Sequence, residues 1–144
     1  MHAAENPAPG YTGSTLVIGR SIGNYKIVRV LGEGGMGTVY LAEHPMIGKK
    51  VAVKMLRPDL STDPGLVSRF FQEAKAAGGL NHPNLITIHD IGREGDVAYM
   101  AMELLEGVEL RALMARGRLP LPLALDIAAQ VADGLAYAHE RGVV

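Results

Sequence analysis

Short β-prone apolar runs mark the first part of the chain, and helical spacing takes over towards its end. Residues 25–31 and 39–42 are two such runs, joined by the stretch Gly32-Glu33-Gly34-Gly35-Met36-Gly37, and together they predict a hairpin. Residues 51–56 read Val-Ala-Val-Lys-Met-Leu and predict a third strand. Alternation puts Val51, Val53 and Met55 on one face, and Ala52, Lys54 and Leu56 on the other. Runs 85–91 and 97–102, separated by the polar segment 92–96, predict two further antiparallel strands.

Three helices are expected. Asp63 suits an N-cap and Pro64 the first helical position, where no N–H is needed. Leu66, Phe70, Ala74 and Ala77 then recur at helical spacing until Gly78-Gly79. Residues 110–116 predict a short helix ended by Gly117. A last helix opens at Pro122, carries the stripe Leu123, Ile127, Val131 and Leu135, and stops at Gly142. The first 24 residues are rich in turn formers and lack a period, so they read as a flexible tail. Within them, residues 16–18 have the character of a short strand or a docking segment.

Composition narrows the class without naming it. With 48% apolar residues, the 144-residue chain can bury a core. A net charge of −1 argues against a nucleic-acid surface or a basic membrane patch. Cysteine is absent, which excludes a disulfide scaffold and thiolate chemistry. No run of about eighteen apolar residues occurs, so no membrane span is expected from this segment.

The chemistry begins at the glycines. Gly32, Gly34 and Gly37 have the spacing G-x-G-x-x-G. A loop with N–H groups bare of side chains suits a polyphosphate, although a plain flexible turn has the same composition. The spacing also marks dinucleotide sites, where a helix follows and an acidic residue stands about twenty residues on. Here residues 38–41 are β-branched and aromatic, Pro45 follows, and residues 51–54 carry no acid, which argues against a nicotinamide-dependent oxidoreductase.

Lys54 shares its strand face with apolar neighbours. Its stem can lie along the sheet while the amine reaches water, or the amine can pair within the layer. Glu73 borders the apolar stripe of the first helix, so it is either solvated or Lys54's partner. Removing one member of such a buried pair costs about 3–5 kcal/mol. His139, near the end of the last helix, is most simply a favourable helix–dipole contact.

Taken in order, these pieces resemble a protein kinase domain. The glycine loop with Val39, the V-A-V-K strand, a helix bearing Glu73, the His82-Pro83-Asn84 turn, two strands and the Met102-Glu103-Leu104-Leu105 segment follow one another across residues 25–144. The likeness is to the N-terminal part of bacterial serine/threonine kinases of eukaryotic type. It implies an α+β fold: a kinase-like small lobe of five antiparallel strands and one helix (25–105), followed by the hinge exit and first helices of a large lobe (106–144).

The resemblance also implies roles. The loop Gly32, Glu33, Gly34, Gly35, Met36 and Gly37 would cover the ATP phosphates. Lys54 would bind the α- and β-phosphates, positioned by Glu73. Leu31, Val39 and Ala52 would line the adenine pocket, with Met102 as gatekeeper. The Glu103 carbonyl and the Leu105 N–H would bond the adenine edge, and Glu109 would approach the ribose. Protein substrates, Mg2+ and a cytoplasmic placement of this segment are implied as well. The family's H-R-D and D-F-G motifs, which supply the base and the metal ligands, would fall beyond Val144. The expectation is therefore an ATP-binding segment that is inactive alone, with self-association through the exposed last helix. A pseudokinase or nucleotide-binding scaffold module is the alternative.

Overall fold

The structure, a computed structural model, describes residues 17–35 and 37–144. Its strands are β1 (Ser21–Ile22), β2 (Tyr25–Glu33), β3 (Gly37–His44), β4 (Lys49–Leu56), β5 (Ile88–Glu94) and β6 (Val97–Met102). The helices are α1 (Pro64–Gly78), α2 (Leu110–Ala115) and α3 (Leu121–Glu140). All strand pairs are antiparallel, in the order β1-β2-β3-β4-β6-β5.

The sheet has six strands where five were expected, because residues assigned to the tail contribute the edge strand β1. Ser21 pairs with Lys26 and Ile22 with Tyr25. Gly23 makes this turn with φ +57°, and a Cβ there would collide with the Tyr99 hydroxyl. Val17 packs against the sheet core; Leu16 and the rest of the expected tail lie outside the described residues.

Alternation along the strands sorts the core onto two faces. Ile27, Tyr40, Ala42, Val51, Val53, Met55 and Ala101 fill one. Ala52, Leu56, Met100 and Met102 lie on the other, where Val67, Phe70 and Ala74 of α1 cover part of the sheet. Helix α1 starts as its sequence directs. The Asp63 carboxylate accepts the N–H groups of Gly65 and Leu66 at 2.8 and 3.2 Å, with Pro64 in the first turn. Its buried stripe centres on Val67 rather than Leu66, which is half-buried.

Strand β5 begins three residues later than the expected residue 85. Thr87 still faces Glu103, whose N–H donates to the Thr87 carbonyl at 2.8 Å, but the Thr87 N–H goes to the Glu103 carboxylate at 3.2 Å rather than to its backbone. Leu85 instead closes the preceding turn through the His82 carbonyl, at 3.1 Å.

That turn grips α3. The Asn84 side chain donates to the Gln130 carbonyl at 3.0 Å, and the Asn81 N–H donates to the Tyr137 hydroxyl at 3.1 Å. His82 Nδ1 accepts the Asn84 N–H at 3.0 Å, so the proton of the neutral ring sits on Nε2, 3.3 Å from the Asp133 carboxylate. Gly134 is buried beneath the turn, and a Cβ there would stand 3.3 Å from the Asn84 carbonyl. The expected stripe is offset from this docked face: Leu123, Val131 and Leu135 are exposed, and Ile127 is half-buried.

Candidate functional site

Cross-strand register assembles the site. Gly32 of β2 pairs with Val39 of β3, Val39 with Lys54 of β4, and Lys54 with Met100 of β6. Directly paired residues share a face of the sheet. On the neighbouring rung, Leu41 pairs with Ala52 and Ala52 with Met102. Val39, Ala52, Lys54 and Met102 therefore line one surface, and the glycine turn stands at its end. Ala52 and Met102 are buried, Val39 and Lys54 are half-buried, and Leu31 is exposed beside a β2 irregularity.

The glycines divide their work. The Gly34 N–H closes the turn by donating to the Gly37 carbonyl at 2.9 Å. A Cβ on Gly37 would run into the Met55 carbonyl, so close approach to β4 requires glycine there. A Cβ on Gly32 or Gly35 would meet nothing within 4 Å, and the Gly35 N–H has no acceptor among the described residues. The turn thus leaves bare backbone open on its outer side. Glu33 is exposed; Met36 lies outside the described residues.

The expected Lys54–Glu73 ion pair is not formed. Among the described residues, ion pairs within 4.0 Å join Arg57 to Asp59 and His82 to Asp133, and neither involves Lys54. Glu73 is exposed because α1 turns Val67, Phe70 and Ala74 towards the sheet, which leaves Glu73 at the rim of that stripe. The lysine amine consequently has no carboxylate partner among the described residues.

At the far end of the surface, neither the Glu103 carbonyl nor the Leu105 N–H is engaged among the described residues. One acceptor and one donor, two residues apart, stay free where β6 ends. Glu109 is exposed and occupies the N-cap position of α2 without making a side-chain cap bond. A cleft of about 330 Å³ opens behind this segment, lined in part by Pro83, Glu103, Leu105, Ile127 and Val131. Among the described residues, no group of three or more His, Cys, Asp or Glu could hold a metal ion.

Two features escaped sequence reasoning. Arg57 and Asp59 form a fork beside the glycine turn, and the His82 turn holds α3. The H-P-N sequence signalled a turn, but only the fold shows what that turn touches.

Comparison with known proteins agrees with this fold. Residues 25–144 match the protein kinase domain family, and the chain belongs to it. It is 42% identical over 131 residues to the serine/threonine-protein kinase PrkC of Bacillus subtilis, covering 90% of this chain and 20% of that protein. It is 41% identical over 128 residues to PknA of Mycobacterium tuberculosis, covering 85% of this chain and 30% of that protein. The crystal structure of the Mycobacterium tuberculosis PknI kinase domain superposes with a TM-score of 0.74 at 35% identity, over 86% of this chain and 51% of that one. The chain thus spans a minor part of these two curated relatives and about half of that solved domain.

Proposed function

We propose that the chain binds ATP on the Val39–Ala52–Lys54–Met102 surface and forms the nucleotide-holding part of a serine/threonine protein kinase. The observation that carries this reading is the register: apolar walls, a lysine amine and a bare glycine backbone lie along one face, and a free donor–acceptor pair stands at its end. Apolar walls suit a purine, the amine suits phosphate oxygens, and the Glu103 carbonyl and Leu105 N–H match the polar edge of adenine. Leu31 would close the purine side, Met102 the back, and Glu109 would approach the ribose.

ATP supplies the phosphoryl group in this chemistry, and the chain's residues would orient it. Lys54 would neutralise phosphate charge, and the exposed Gly35 N–H would donate to a phosphate oxygen. The described residues offer no carboxylate cluster fit for Mg2+, so no step is assigned through the metal. The 144 residues contain neither His-Arg-Asp nor Asp-Phe-Gly, so the chain alone is proposed to bind nucleotide without transferring phosphate. A cytoplasmic location and protein substrates belong to the same reading. Two copies of the chain would associate through the exposed Leu123, Val131 and Leu135 of α3, as sedimentation would reveal.

The experiment is titration with ATP, adenosine and NAD, accompanied by a phosphorylation assay with ATP, Mg2+ and a generic protein. ATP binding that weakens in Lys54→Met supports the reading; equal affinity for NAD would defeat it. Turnover above the Lys54→Met control would refute inactivity of the chain alone. A second reading, a regulatory nucleotide-binding module, is favoured by one observation: Lys54 and Glu73 are apart, whereas phosphoryl transfer in kinases needs such a pair in place.

A further inference from the structure

Arg57 leaves the end of β4 beside the glycine turn, since Leu56, the residue before it, pairs with Gly37. Both ends of the residue are held. Its carbonyl accepts the Leu60 and Ser61 N–H groups at 3.0 and 2.9 Å and the hydroxyl of buried Ser61 at 3.0 Å. Its guanidinium donates twice to Asp59, from Nε at 3.1 Å and from Nη2 at 2.8 Å. This planar fork fixes the orientation of the group, and the hydrogen bonds hold the Asp59 carboxyl below the usual carboxylate range.

Nη1 remains, and it donates to the Gly35 carbonyl at 3.4 Å. Among the described residues, this is the hydrogen bond that the Gly35 carbonyl accepts. The same residue carries the unengaged N–H on the open side of the turn.

We propose that Arg57, oriented by Asp59, is a positioning residue that holds the Gly35 backbone at a set height over the end of β4, so that its N–H faces the phosphates of a nucleoside triphosphate. The inference rests on the ATP reading above. It assigns Asp59 a part that charge attraction alone would not. Removing Asp59 leaves the Arg57 charge in place and deletes a nearby negative charge, so a pure charge effect predicts equal or tighter ATP binding. Loss of orientation predicts weaker binding.

The test compares the unaltered chain with Arg57→Ala, Arg57→Lys and Asp59→Ala, using ATP and adenosine titration and amide hydrogen exchange at Gly34, whose N–H is bonded within the turn, without nucleotide. All three variants are expected to bind ATP about threefold to tenfold more weakly, the range one modest hydrogen bond spans. Adenosine affinity should stay unchanged, and exchange at the turn should rise in each variant. Arg57→Lys keeps the charge but not the fork, so it should fall with the others. Undiminished ATP affinity in Asp59→Ala overturns the positioning role. Unaltered exchange in Arg57→Ala overturns the tether while leaving ATP binding standing. An unaltered chain that binds no ATP overturns the ATP reading itself and, with it, the phosphate-aligning role.

Discussion

Val39 and Lys54 are direct cross-strand partners, and this pairing puts a lysine amine beside an apolar wall at the foot of the glycine turn. Neither residue specifies the site alone. Val39 follows the last glycine by two positions, and Lys54 stands on the next strand; register brings them to one rung. A slip of one residue would send Lys54 to the opposite face.

Replacing Lys54 by Met should therefore remove phosphate affinity with little change in the fold, because the new side chain matches its apolar neighbours. A hydrogen bond to a charged group contributes about 1.5–3 kcal/mol, which corresponds to a loss in ATP affinity of about tenfold to a hundredfold. Adenosine affinity should hold. Calorimetric titration of both ligands checks the split, and an equal loss for both would show that the lysine acts on the whole pocket.

The glycines should separate in the same way. In Gly37→Ala the added methyl meets the Met55 carbonyl, and displacing the backbone should cost about 1–3 kcal/mol of stability. Gly32→Ala meets nothing within 4 Å, so the fold should tolerate it. Thermal melts of the two variants test the contrast, and similar melting temperatures would contradict it.

The grip on α3 should depend on the turn that precedes Leu85. Asn84→Ala deletes the bond to the Gln130 carbonyl, and His82→Ala deletes both the Asn84 and the Asp133 contacts. Each lost bond is worth about 0.5–1.5 kcal/mol net. Amide exchange in α3 should accelerate in both variants while α1 stays protected. Acceleration spread evenly over the chain would instead indicate global destabilisation.

Alkaline pH should weaken the fold. Burial pushes the Tyr99 hydroxyl above the ordinary value of 10.0, with the Asp90 and Glu94 carboxylates adding to the effect. Burial likewise raises Tyr40. The unfolded chain then loses these protons at lower pH than the folded one does. Stability is full below about pH 10 and falls as pH rises from there through the folded-state values. Denaturant midpoints measured across this window should decline, and Tyr99→Phe should shallow the slope. A slope that Tyr99→Phe leaves intact would place the titration elsewhere.

Much of the site was legible because its signals are local. The glycine turn, the alternation that puts Lys54 with Ala52, and the Asp63-Pro64 helix start each depend on residues a few positions apart. Glu73 was harder to read. It stands at the edge of a helical stripe, and shifting the buried centre from Leu66 to Val67 turns it outward. The choice between Leu66 and Val67 depends on how α1 lies on the sheet, which no local pattern specifies. Residues 21–24 were misread for a related reason: Ile22 is buried in the sheet core and Tyr99 stands beneath Gly23, contacts that exist only in the folded sheet.

The sequence by itself determined the order of β2 to β6 and of the helices, the glycine turn and the lysine's face, because periodicity and backbone preference act over short stretches. Tertiary structure alone decided that β4 lies against β6, that Lys54 and Glu73 stay apart, that the His82 turn holds α3, and that Arg57 reaches Gly35. Those relationships join residues far apart in the chain. They depend on packing angles and side-chain reach, which exist only once the sheet and helices have been brought together.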